Sequence, residues 1–276
     1  MTYSRPMPKM QRSHGAASVS LVLRQGRVRL TDLAQSGSAK VILPYGGTQA
    51  DDQSDVVFLN TSGGLTGGDS LGYQINLGDG VRAVATTQTA ERAYKSQSGP
   101  ARVTVAATVG ARGWLDWLPQ ETILFQSSAL HRSTRIDLAA DAGCLMIETI
   151  VLGRAAMGEN ITSLVLQDHR QVWRQGHPVM IDPFGLTGAA LGDRAALLGK
   201  ARVVASLAFV TQAAQDALPA LRAVLDEPAV QAAASGWDGR LTLRMMAQDS
   251  WPMRRQILRL LAVLRPGQAA PRVWQI

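Results

Sequence analysis

Short segments in which apolar and polar residues alternate recur along the first three-quarters of this 276-residue chain. Residues 18–24 and 27–33 alternate on either side of Gln25-Gly26, the arrangement of two strands joined by a tight turn. Further runs lie at 40–43, 55–59, 71–77 and 81–87, the last two separated by Gly78-Asp79-Gly80, a D-G hairpin signal. The pattern continues at 101–109, 114–118, 121–125, 130–138, 144–152, 161–167 and 203–210. A period of two gives each strand one face for the core. Strands spaced by about ten residues with Gly-rich turns predict an all-β sandwich, barrel or solenoid-like stack. No regular solenoid period is legible.

The last quarter changes character. Residues 211–226 are Ala-rich, with Ala214, Leu218, Leu221 and Leu225 apolar and Pro219 near the start, which predicts an amphipathic helix. Residues 240–246 read as one more strand. Asp249-Ser250 then caps a helix over 251–264, with Pro252 in its first turn and Pro266-Gly267 after its end. Its apolar face is Met253, Ile257, Leu260, Leu261 and Leu264, and Arg254, Arg255, Arg259 and Arg265 occupy the other. The organisation expected is a flexible segment 1–16, carrying Arg5, Lys9, Arg12 and His14, then one domain over 17–276. That domain has a β body (17–210) and a helix-containing part (211–276).

A charge of +7 and a pI near 10.2 suit an anionic partner. The basic residues are scattered, however, and aromatics make up 5% of the chain with no basic–aromatic run, so nucleic-acid binding is the minority reading. Cys144 is the only cysteine, which excludes an internal disulfide and a CxxC metal or redox motif. No apolar stretch reaches the length of a membrane helix, and residues 1–16 lack the apolar core of a signal peptide, so the expected location is cytoplasmic.

Residues 59–69, LNTSGGLTGGD, contain four glycines, a close-approach backbone. A phosphate loop needs Lys after the last Gly, and here Asp69 follows Gly68. The spacing also fails the dinucleotide fingerprint. Thr61-Ser62-Gly63-Gly64 is not a nucleophile elbow, which leaves a β-fold hydrolase using this loop as a weaker alternative. His14, His131, His169 and His177 form no H-x-x-x-H pair, and no dedicated metal cage or tightly bound cofactor is expected.

The carboxylates are more suggestive. Glu91, Glu121, Glu148 and Glu159 sit within or beside apolar or small-residue segments, where an isolated charge is expensive. In a strand over 144–152, Cys144, Met146 and Glu148 share one face. Two readings stand: an Arg partner in a polar core, from Arg92, Arg132 or Arg154, or a hydrated passage lined by carboxylates and hydroxyls.

Four blocks carry a resemblance. Residues 60–69 (NTSGGLTGGD), 85–92 (ATTQTAER), 114–125 (WLDWLPQETILF) and 152–159 (LGRAAMGE) are similar, in order, to blocks of the UreD (UreH) urease accessory family. Residues 249–274 resemble it more weakly, and the Ala-rich stretch 212–234 departs from it. Asp116 stands where the family often has Glu. The resemblance implies a mainly β, elongated, layered, β-helix-like body with about two C-terminal helices. It also implies a non-enzymatic scaffold acting with UreF-like and UreG-like accessory proteins on the urease apoprotein, with nickel(II) in transit. Asp69, Glu91, Glu121, Glu148 and Glu159 are the carboxylates inside or next to the matching blocks; taking them as the candidate nickel contacts is a hypothesis added to the resemblance, which assigns no such role position by position.

Overall fold

In the computed structural model, which describes residues 11–44, 53–192 and 197–275, the alternating segments become the strands of two stacked sheets. Gln25 and Gly26 both have positive φ (52° and 73°), as a two-residue hairpin turn with the right twist requires. They join β1 (His14–Arg24) to β2 (Arg27–Gly37) in an antiparallel pair. β3 (Ala39–Ile42) and β4 (Gln53–Asn60) follow. Residues 1–10 of the segment expected to be flexible lie outside the described residues, and His14 already belongs to β1.

From β5 (Ser70–Leu77) the chain coils. It crosses to the second sheet as β6 (Arg82–Thr87), forms a narrow side as β7 (Glu91–Ala93), and returns as β8 (Ala101–Val109). The next coil is β9 (Trp114–Trp117), β10 (Thr122–Leu124) and β11 (Ala129–Leu138). It is followed by β12 (Gly143–Leu152), β13 (Val165–Arg174) and β14 (His177–Thr187). Ser70 pairs with Arg102, Arg102 with His131 and His131 with Gln167, so a coil takes about thirty residues. This period was not legible because the coils match in backbone register, not in residue identity.

The Gly78-Asp79-Gly80 signal marks a corner instead of a hairpin, since β5 and β6 belong to different sheets. The Asp79 carboxylate accepts from the Ala111 amide of the next corner (2.8 Å), and Asp141 accepts from the Arg112 amide (2.8 Å). Each corner is thereby tied to its neighbour in the stack.

The first sheet has the order β14-β13-β11-β8-β5-β1-β2, parallel except at its two ends. The second adds β15 (Val203–Val210), β16 (Val230–Trp237) and β17 (Arg240–Ala247), in the order β16-β17-β15-β12-β9-β6-β4-β3. One core lies between the sheets, with Val19, Ile75, Val105 and Ile136 facing Phe58, Leu115 and Met146. The other lies on the far side of the second sheet, where Leu145, Ile147, Leu207 and Leu243 meet Met253, Ile257, Leu260 and Leu264 of the long helix Ser250–Leu264. β12 is buried along its whole length because it serves both cores. Asp249 caps the helix as expected, accepting from the Trp251 amide (2.8 Å).

Four elements differ from the expectation. The helix over 211–226 is shorter, a 3-10 turn Ala214–Ala217 followed by a helix Leu218–Ala223. β16 takes in the end of the Ala-rich stretch 212–234, and pairing to β17 overrides alanine's helical preference. β13 continues to Arg174 and β14 follows it, with Pro178 and Pro183 tolerated on an edge strand. Among the described residues no helix is long and apolar enough to cross a membrane.

Candidate functional site

The Gly-rich loop folds against the narrow side of the coil. Leu65 donates to the Arg92 carbonyl and Tyr94 donates to the Leu65 carbonyl, both at 2.7 Å. Gly64 lies at φ 147°, and a Cβ there would sit 2.8 Å from the Arg92 carbonyl oxygen. Buried Asp69 closes the loop by accepting from the Ser13 and Thr66 amides, each at 2.8 Å. The Ser62 hydroxyl lies 2.7 Å from Asn60 Oδ1 and 2.8 Å from the Gly64 carbonyl, so it is engaged within its own loop.

The four sequence blocks stack on this side. Glu91 donates its amide to the Glu121 carbonyl (2.9 Å), β7 pairs in register with β10, and Gly153 donates to the Leu124 carbonyl (2.8 Å). Gln126 then donates to Glu159 Oε1 (3.0 Å). The blocks are far apart in sequence and adjacent in the fold.

Glu91 points inward, to a small cavity of about 40 Å³ shared with Phe58 and Tyr73. Its Oε2 accepts from Asn60 Nδ2 (3.1 Å) and its Oε1 from the Arg92 amide (3.0 Å). Burial raises its pKa against the pull of those bonds. Thr122 lies beside Glu91 in the parallel register, so the two side chains share a face. The Thr122 hydroxyl accepts from Arg132 Nη1 (3.2 Å).

Arg132 is the centre of a polar layer between the sheets. It makes a bidentate pair with Asp168 (2.9 and 2.6 Å), and its Nη2 lies 2.6 Å from Glu148 Oε2. Glu148 Oε1 accepts from Trp117 Nε1 (3.0 Å) and the Thr134 hydroxyl (2.8 Å). Of the two readings open for Glu148, an arginine partner is therefore present, and it is Arg132. Burial opposes ionisation of Asp168, but the adjacent Arg132 outweighs it and holds the carboxyl below its ordinary pKa, while Arg132 itself is pushed up. Outward from Asp168 come Arg170 (Nε at 3.6 Å), then Asp182 (3.3 Å from Arg170 Nη2), then Arg244, bonded to Asp182. From Glu148 to Arg244 the charges alternate in sign.

The other expected carboxylates lie off this line. Glu121 faces the opposite side, lining a cavity of about 280 Å³ with Trp251 and Trp274 at the start of the long helix. Glu159 accepts from the amide (3.0 Å) and Nε (2.9 Å) of Arg154. Burial works against its ionisation, and these bonds nevertheless hold its pKa low. Asp69, Glu91, Glu121, Glu148 and Glu159 thus do not form one wall, although Glu91 and Glu148 belong to one polar layer. Among the described residues no three His, Cys, Asp or Glu side chains converge to hold a metal ion.

Sequence reasoning missed Asp168, Arg170 and Asp182. The signal was present: Leu166, Asp168, Arg170 and Val172 alternate on one buried face, which becomes visible once the strand is carried past residue 167. Arg265, expected with the other arginines on the polar face of the long helix, is instead the buried residue that follows its last turn: its Nε donates to buried Asp116 (2.7 Å) and fastens the end of the helix to β9.

The sequence matches the family described as UreD urease accessory protein over residues 13–275. The chain belongs to the UreD family. It is 57% identical over 273 residues to the urease accessory protein UreD of Cereibacter sphaeroides, covering 98% of each chain. It is 52% identical to that of Paracoccus denitrificans, over 97% of this chain and 94% of the relative. With the UreD of Jannaschia sp. it shares 47% identity over 98% of each. The match takes in the Ala-rich stretch 212–234, so the departure noted there does not interrupt the UreD relationship.

Proposed function

We propose that this chain acts in the cytoplasm as a non-enzymatic scaffold for nickel incorporation into urease. Its partners in this reading are UreF-like and UreG-like accessory proteins and the urease apoprotein. Nickel(II) on its way to the urease active site is the cargo, and the polar layer between the sheets is its path. The observation that carries the reading is the continuity of that layer. From Glu91 it runs through Thr122, Arg132 and Glu148 to Asp168, Arg170 and Asp182, crossing an otherwise apolar interior.

Such a layer suits passage better than storage. Oxygen ligands come one or two at a time, and each acid already has an arginine or amide competing for it. A divalent cation that displaces those contacts in turn is never held by a full coordination sphere, the multi-site logic by which channels conduct. Family membership gives the coarser role, that of a urease accessory protein, and the residue-level path is our own assignment.

The test is co-expression of the chain with urease and its accessory proteins, measuring co-purification, nickel per active site and urease activity together. Glu91→Ala and Glu148→Ala should each lower nickel loading mildly, and the pair more, with the assembly intact. Glu121→Ala, Glu159→Ala and Asp69→Ala probe acids off the line and should affect loading less. Loss of assembly in parallel with loss of loading would reject the passage.

A further inference from the structure

The second sheet is wider than the first. β14 ends the first sheet, while β17 and β16 continue the second beyond β15. Leu241 and Leu243 of β17 pack into the core under the long helix, so the alternate residues Arg240, Thr242 and Arg244 emerge on the face that the first sheet leaves uncovered. That face and β14 enclose a cleft of about 310 Å³.

The cleft is positively charged. Arg170, Arg240 and Arg244 line it against a single carboxylate, Asp182. Along the chain from Glu148 to Arg244 the charges cancel in pairs, which leaves Arg240 in surplus. Among the described residues Arg240 meets the Trp237 ring at 4.7 Å and no carboxylate. Arg170 is 3% exposed, and its Nε and Nη2 have no hydrogen bond, only the longer approaches to Asp168 and Asp182. Donors outnumber acceptors here, and buried donors without acceptors are costly. The two lips are apolar and exposed, Ile181 at 58% and Trp237 at 43%.

We infer that this cleft is a docking site for an acidic segment of a partner protein. Such a segment sets an Asp or Glu carboxylate against Arg240 and Arg244 and an aliphatic side chain against Ile181 and Trp237. The surplus charge selects the sign of the ligand. The lips select a protein over a free ion, because a small anion uses the guanidinium groups and leaves both exposed apolar side chains in water. An exposed tryptophan beside arginine is also the composition of an interface anchor. The inference rests on the reading that the chain works within an assembly of urease-maturation proteins, and it names one face by which it does so. It also bears on the cargo: a cation reaching Asp182 meets three arginines, and a docked carboxylate removes that barrier.

The experiment uses the full chain co-expressed with urease and the accessory proteins, each component quantified after pull-down. Arg240→Glu, with an unchanged melting temperature, should lower recovery of one component about tenfold, and Arg240→Lys should keep most of it. Wild-type recovery of that component should fall as salt is raised. A photo-crosslinking residue at Ile181 should mark an Asp- or Glu-rich peptide of the same component. Undiminished recovery with Arg240→Glu, or a crosslink to a basic segment, overturns the docking site while leaving the assembly reading intact. If wild type recovers no partner, the assembly reading fails and the docking site with it. If acetate or phosphate shields Trp237 while recovery ignores the charge at position 240, the cleft is a small-anion site and the docking inference is overturned.

Discussion

Arg132 and Glu148 reach across the interior from facing sheets and meet at 2.6 Å, with Arg132 also clamped by Asp168. The arginine has two carboxylates, and each carboxylate has only a share of the arginine. Removing Arg132 therefore leaves buried Glu148 without a cation and Asp168 with only the longer approach of Arg170 (3.6 Å), whereas removing Glu148 leaves Arg132 paired with Asp168. Arg132→Ala should cost about 3–5 kcal/mol, and Glu148→Ala clearly less. Urea denaturation of the two variants checks this order, and the reverse order would show that Glu148 is the structural centre.

Acid should weaken the fold through the same layer. Asp168 is depressed below its ordinary pKa, so its ionised form is favoured more in the folded than in the unfolded chain. The stability it adds is full above the ordinary Asp range and drains as pH falls from about 4 through the depressed folded value. Asp168→Asn should lower stability at pH 7 and flatten the acid limb of a stability–pH curve. An unchanged acid limb would assign that limb to other carboxyls.

Cys144 is fully buried, and burial pushes its thiol pKa up to about 12. It should resist a thiol-specific reagent at pH 8 in the folded protein and react in one step on unfolding. Fast labelling under native conditions would contradict the burial of β12.

Two neighbouring glycines should respond differently to alanine. At Gly63 (φ 78°) a Cβ meets open space, whereas at Gly64 (φ 147°) it collides with the Arg92 carbonyl and the Tyr94 ring. Gly64→Ala should cost about 1–3 kcal/mol more than Gly63→Ala, read from thermal melts.

At the long helix, Asp249→Asn keeps a capping oxygen and should be nearly neutral. Asp249→Ala should cost about 1 kcal/mol. Equal effects in denaturant titrations would remove the cap as the source.

Local chemistry made much of the fold legible. Gln25-Gly26 specified a hairpin, Asp249 with Pro252 and Pro266 bounded a helix, and the isolated Glu148 left two readings, an arginine partner or a hydrated passage, of which the partner is present as Arg132. What stayed hidden depends on packing between passes of the chain. Asp79 carries the same turn signal at a corner between sheets as it would in a hairpin, because the backbone conformation is local and the sheet assignment is not. The alanines of β16 become a strand only because β17 offers a ladder. A strand expected to end at residue 167 excludes Asp168 and Arg170, and with them the outer half of the polar layer.

β12 presents Cys144, Met146 and Glu148 to one core and Leu145, Ile147 and Val151 to the other. A strand shared in this way couples two hydrophobic interiors mechanically. The helix-bearing last quarter should consequently not behave as a detachable module: cutting the chain after Val210 would bare one whole side of β12, and loosening either interior would shift the backbone that the other is built on. The molecule should melt in a single transition, and disturbance at the outer helix should be felt at Arg132.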